Sequence, residues 1–339
     1  MLNDTMYVTG THMSKPSLVV RVGLTVSILV AVFSPAGIGQ VPDKSRTPES
    51  LVAMLDSPDW QVRSDAIARL NLISASRLPT SYATTIISLL EREATSPNSR
   101  GEGEGYGEYL LGVVNGVVRL HDPRSLRGLA LLGIQASREA QDYVASQGGK
   151  SLPFLDEAWA RSHSDAVATT WAYMLGKSPQ ALSRAERLQV MARLLGVLPG
   201  NSRGFTWAAV MGPLPELVPL VEEIASSDPM PARRQAGAQA LQRLRPLRDR
   251  LSTRDLFARF SDWLDALCSA GTRGGACQVL RASAGSAQTQ LETRGLSSAR
   301  PPLDELSRQA RDAHATGQLT DTEYRLVVGN VEYISARAQ

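Results

Sequence analysis

The feature that most constrains this chain is a helix-breaking turn followed at once by an amphipathic helix, "LDSPDWQVRSDAIARLNLI", residues 55–73. Pro58 lacks an N–H and cannot continue a helix, while Asp59 can cap a new one. Val62, Ala66, Ile67, Leu70 and Ile73 then recur at helical spacing on one face, and Arg63 and Arg69 are expected outside. The segment before the turn, "TPESLVAML", places Thr47 as N-cap, Pro48 at the first helical position and Leu51, Met54 and Leu55 on an apolar stripe. Two antiparallel helices joined by a tight polar turn cannot bury both stripes alone, so the unit requires stacked neighbours.

The design recurs. "HDPRSLRGLALLGI" starts at His121 with Asp122-Pro123 as the break; "SSDPMPARRQAGAQALQRL" starts at Ser226 with Asp228-Pro229; a fainter copy, "RSHSDAVATTWAYMLG", starts at Arg161. Between the breaks, "PTSYATTIISLLEREA" and "SRAERLQVMARLLGVL" supply further amphipathic helices. Aromatic residues make up only 5% of the chain, which disfavours strands, because sheets lean on aromatic and β-branched side chains. These residues resemble the HEAT repeat: an Asp/Pro turn, Val62-Arg63, then spaced Ala and Leu, with Ala232 replacing the Val in the copy at 228. The spacing of the breaks is one to one and a half times the about 40–47-residue period of such units. The resemblance covers roughly residues 47–250. It implies an all-α fold, an α-solenoid of stacked antiparallel helix pairs whose concave side often binds proteins or peptides, and it carries over no catalytic residue.

The amino-terminal region has the layout of a signal peptide. Lys15 and Arg21 precede the apolar run Val22–Phe33 and the small-residue segment "SPAGIGQ". Residues 1–40 are therefore expected to be a leader, with Met13 as an alternative initiator and cleavage after Gly39. An uncleaved anchor over residues 22–42 is the other reading, although its strongly apolar part is short for a span of about 20 residues. Export to a periplasmic or extracellular space makes paired cysteines useful. The two cysteines, Cys268 and Cys277, flank a Gly-rich loop. The helix before that loop carries Leu256, Phe257, Phe260, Trp263, Leu264 and Leu267 on one face, started by a Ser252/Asp255 capping pattern. A Cys268–Cys277 disulfide would clip this helix to the next.

Composition shifts to Ser, Arg and Pro at residues 295–302, which read as a linker closing a repeat domain over 41–294. Beyond it, Leu303, Leu306, Ala310 and Ala313 form one stripe, Gly317 suits a left-handed C-cap, and Thr320 with Glu323 starts a second helix. This hairpin, 303–339, resembles the SHOCT type of short C-terminal module through "ATGQLTDTEY", which implies self-association or docking.

Catalytic chemistry is sparse. "SQGGKS", Ser146–Ser151, has Val144 where a phosphate-binding loop needs Gly, and it follows a helix rather than a strand. "GEGEGYG" lacks the last Gly of a dinucleotide motif; Glu102, Glu104 and Glu108 are the only carboxylate group there with a cation's chemistry. His12, His121, His163 and His314 are scattered without metal spacing, and there is no Gly-x-Ser-x-Gly. No cofactor, metal or nucleic acid is expected, since the densest basic run, Arg243–Arg250, reads as a solvated helix face. The expected function is non-catalytic binding of a protein or peptide. Trp60 and Trp207, at repeat edges, are the candidate aromatic anchors, and Arg233 and Arg234 the candidate basic contacts. An enzyme assembled from distant residues and a purely structural envelope component are the alternatives.

Overall fold

The computed structural model describes residues 47–96, 105–177, 179–197, 212–269 and 274–337. The leader, Trp207, Glu102 and Glu104 lie outside the described residues. Every regular element among the described residues is helical, and residues 46–339 form one compact unit.

The four helix breaks share one local device. Asp59 accepts the N–H of Gln61 at 2.8 Å, Asp122 that of Arg124 at 2.9 Å, and Asp228 that of Met230 at 2.8 Å; Ser164 does the same for Ala166 at 3.2 Å. Each side chain thus occupies an N–H that the first helical turn leaves unpaired. His121 and His163, just before two of these breaks, adopt left-handed backbone at φ 51° and 47°. Both imidazoles rest edge-on or tilted on an aromatic ring, Tyr143 at 5.5 Å and Trp159 at 5.0 Å, which holds the turn.

Among the described residues eight α-helices make the first half: α1 (Pro48–Ala53), α2 (Trp60–Asn71), α3 (Ser81–Thr95), α4 (Tyr106–Val118), α5 (Leu126–Gly128, Leu129–Gly133 and Ile134–Ala136, continuous with a π-helical turn in the middle), α6 (Arg138–Ser146), α7 (Leu152–Ser162) and α8 (Asp165–Lys177). The odd helices pack in sequence, α1 on α3, α3 on α5 and α5 on α7, and the even helices likewise, α2 on α4, α4 on α6 and α6 on α8. The result is a two-layered stack in which each hairpin borrows its core from the next. The expected apolar residues Ala66, Ile67 and Leu70 are buried, as are Leu126, Leu129 and Ala130.

The second half comprises α9 (Arg184–Val197), α10 (Val218–Ser227), α11 (Pro231–Arg250), α12 (Thr253–Ser269), α13 (Gly274–Arg294), α14 (Leu296–Ala315) and α15 (Asp321–Ala336). It does not prolong the two layers. α12 is packed by α9, α13 and α15 at once, and α15 also contacts α10 and α14, so the chain closes into a bundle. All six residues of the stripe expected on α12 are buried. The break at 228 forms its hairpin, α10 against α11, inside this bundle rather than as the next step of the stack.

Two expectations are corrected. The linker at 295–302 shrinks to Gly295, at φ 86°, because helix α14 begins at Leu296 and includes Pro301 and Pro302. The long α13–α14 contact and burial of Ala299 and Leu303 outweigh the two backbone bonds that the prolines forgo. Arg63, expected outside, is only 7% exposed. It donates to the turn carbonyls of Ser57 and Pro58 at 2.7 and 2.9 Å, to Tyr109 Oη at 2.7 Å and to Glu93 Oε1 at 3.0 Å. Tyr106 and Tyr109 also donate to Glu93, at 2.6 and 2.8 Å, so every charge in this hub is answered. Burial, with the Glu93 carboxylate beside them, pushes both phenols well above the usual tyrosine range.

Helix ends are tied by arginines as well. Arg119 donates to the carbonyls of Leu70, Asn71 and Ile73, closing α2 from the end of α4. Arg337 does the same for Arg248, Asp249 and Leu251 at the end of α11. The expected capping box at Thr320–Glu323 and left-handed Gly317, at φ 72°, are both present.

Candidate functional site

The stack and the bundle meet along α8, α9 and α12, and a cleft of about 610 Å³ opens there. Its apolar wall is Leu175 from α8, Met191 from α9, and Leu214 and Leu251 from the segments entering α10 and α12. Its polar wall comes from the side of α12 turned away from the buried stripe: Asp255, Ala258, Arg259 and Asp262, at spacings of three and four. Arg184 and Arg187 of α9 complete the rim.

Glu216 sits deepest. It lies in the short turn Pro215–Leu217 and is 2% exposed. Its Oε1 accepts from Arg259 at 3.1 Å, and its backbone carbonyl accepts from Asn330 Nδ2 at 2.9 Å. Its Oε2 has no partner among the described residues. Desolvation raises the Glu216 pKa above the ordinary glutamate value, with Arg259 pulling the other way. Ser261 Oγ and Trp263 Nε1, on residues that line the same cleft, are likewise buried with no partner among the described residues. Other rim charges pair with one another: Asp262 faces Arg184 at 3.2 Å and Arg187 at 3.6 Å, and Arg184 also reaches Asp265 at 2.7 Å. Ser252 and Asp255 bond at 2.6 Å in the expected capping pattern.

Cys268 and Cys277 are joined by a disulfide, which ties α12 to α13. The other residues singled out from sequence lie elsewhere. Trp60 is half-buried against Tyr106 and Tyr109, with ring centroids at 5.5 and 5.9 Å. Arg234 donates to the Asp228 carbonyl at 2.6 Å and Arg233 stands 3.7 Å from the Asp228 carboxylate, so both brace the turn that starts α11. None of the three lines the cleft. Arg259 and Glu216 carried no motif. The available signal was the single acidic residue in the apolar run "PLPELVPLV", a pattern that marks a charge folded inward.

A second, more open groove of about 520 Å³ lies between α5, α6 and α8, where Arg138 and Lys177 lie over the Tyr173 ring at 5.4 and 4.4 Å. Among the described residues no group of three His, Cys, Asp or Glu is placed to hold a metal ion, and no helix is long and apolar enough to cross a membrane. No family model, curated protein or solved structure matches the chain.

Proposed function

We propose that the chain is an exported, non-catalytic scaffold of HEAT-like helical repeats that binds a protein or peptide in the cleft between α8, α9 and α12. The observation that carries the reading is the lining of that cleft: one apolar wall and one wall of hydrogen-bonding groups, on rigid helices, at a volume suited to a few residues of extended chain. The leader-like residues 1–40 and the Cys268–Cys277 disulfide support export. In this reading the hairpin of α14 and α15, with its SHOCT-like turn, serves as a docking element, and light scattering of the full chain over a concentration series reads whether it self-associates.

The test of the binding site is selection of a displayed random peptide library on the full, disulfide-intact chain, repeated on Ala258→Trp, which fills the cleft. Enriched peptides that bind the wild type and are lost on the variant support the reading. Failure to enrich any peptide, or equal binding to both proteins, removes it.

A second reading, a hydrolase, has one observation in its favour: a buried carboxyl of raised pKa facing a cleft is a general-acid arrangement. Its near partner, however, is the Arg259 guanidinium rather than a nucleophile or second carboxylate.

A further inference from the structure

Arg259 carries five N–H groups in a planar fork. Among the described residues its guanidinium is engaged only along one edge, by Glu216 Oε1 at 3.1 Å, although the side chain is 39% exposed and lines the cleft. Trp263 Nε1–H and Ser261 Oγ–H, on residues that line the cleft, are buried and have no partner among the described residues. The rim carboxylates are committed elsewhere, Asp262 to Arg184 and Arg187, and Asp255 to Ser252. The group that satisfies a guanidinium edge is one offering two coplanar acceptor oxygens and a negative charge, which is a carboxylate. A phosphate dianion fits less well, because Arg184 and Arg187 are already paired with Asp262 and Asp265, which leaves it one guanidinium edge, that of Arg259, to meet two charges.

We propose that the cleft binds the C-terminal carboxylate of a peptide on the outer edge of Arg259, with the terminal side chain against Leu175, Met191 and Leu214. Glu216 is then a positioning residue: buried behind Arg259, it fixes the fork from the opposite edge. The proposal rests on the peptide-binding reading and names the end of the peptide that is recognised.

The experiment uses the full chain and one peptide enriched by the library selection, titrated calorimetrically as the free acid, as the C-terminal amide, and as an amide whose last residue is Asp. The free acid is expected to bind at least about tenfold tighter than the amide, a typical value for one charge-assisted pair. Arg259→Gln removes the preference, so that the free acid and the amide bind alike. Arg259→Lys, which keeps the charge without the fork, retains part of the preference and serves if Arg259→Gln does not fold. Equal binding of acid and amide by the wild type overturns the proposal while leaving peptide binding intact. An Asp-ended amide as tight as the free acid overturns the terminal assignment, and so does displacement of the free acid by inorganic phosphate more readily than by acetate. If no library peptide binds, the peptide-binding reading falls and this proposal with it.

Discussion

The stacked half, residues 48–177, and the bundle, residues 184–336, use the same helix hairpin with the same Asp- or Ser-capped break, yet they spend its surfaces differently. In the stack each helix meets the helices two places before and after it, so the interior runs on between two layers. In the bundle three helices converge on α12 and the chain returns on itself through α15. A stack can continue only if each new hairpin covers both layers. Where the bundle closes instead, α8 and α9 face the polar side of α12, and the cleft lies at that joint. The site is thus a consequence of changing the packing rule partway along the chain.

The largest expected effect lies in the stack. Arg63→Ala leaves Glu93, 5% exposed, without its cation, and losing one partner of a buried pair costs about 3–5 kcal/mol. Urea denaturation should show that loss, and hydrogen exchange should place it in α2, α3 and α4. An effect under about 1 kcal/mol, as for an exposed pair, would show that the hub is solvated.

Next comes the bundle's own tie. Cys268→Ser with Cys277→Ser opens a short ring worth about 2.5–3 kcal/mol by loop-closure entropy. Exchange protection should fall in α12 and α13 and hold in α2–α6. Equal loss in both halves would mean that stack and bundle unfold as one cooperative unit, and the contrast between them would then be geometric only.

Close helix contacts give a smaller pair of effects. A Cβ on Gly116 in the stack would stand 2.6 Å from Ile86 Cδ1, the movable end of a side chain, whereas on Gly329 in the bundle it would stand 2.6 Å from the Pro219 ring. Overpacking costs about 1–3 kcal/mol, and replacing a helical Gly returns roughly 0.5–1 kcal/mol. Gly116→Ala should therefore fall within about 1 kcal/mol of wild type and Gly329→Ala near the upper end of that range, read from thermal melts. The reverse order would place the tighter interface in the stack.

What sequence revealed follows from the range of each interaction. Asp59, Asp122, Thr320 and the Cys268–Cys277 pair act within ten residues, and all were legible. Burial of Arg63 depends on Glu93 and Tyr109, thirty and forty-six positions away, so its residue type and its place on the helix pointed outward. Composition marked 295–302 as a linker because proline and serine break isolated helices, and the long α13–α14 interface overrides that tendency. The cleft was illegible for the same reason as Arg63. Leu175, Glu216 and Arg259 belong to three segments brought together only by closure of the bundle.

The smallest expected effect is a change of slope with pH, and it again separates the halves. Glu216 has a raised folded pKa, so the native state holds its proton where the unfolded chain has released it. Stability from this group is therefore lost as pH rises from the unfolded glutamate value, about 4.3, through the folded one. Wild type and Glu216→Gln should match most closely in acid, and the variant should gain on the wild type as pH increases through that window. Tyr106 and Tyr109 obey the same sign at the other end of the scale: held protonated by burial, they withdraw stability from the stack once pH passes the ordinary tyrosine value of about 10. Stability measured against pH on wild type and Glu216→Gln should thus give curves that separate in the weakly acid range and then fall together in alkali. Curves that stay parallel from acid to neutrality would mean that Glu216 is charged and compensated in the fold.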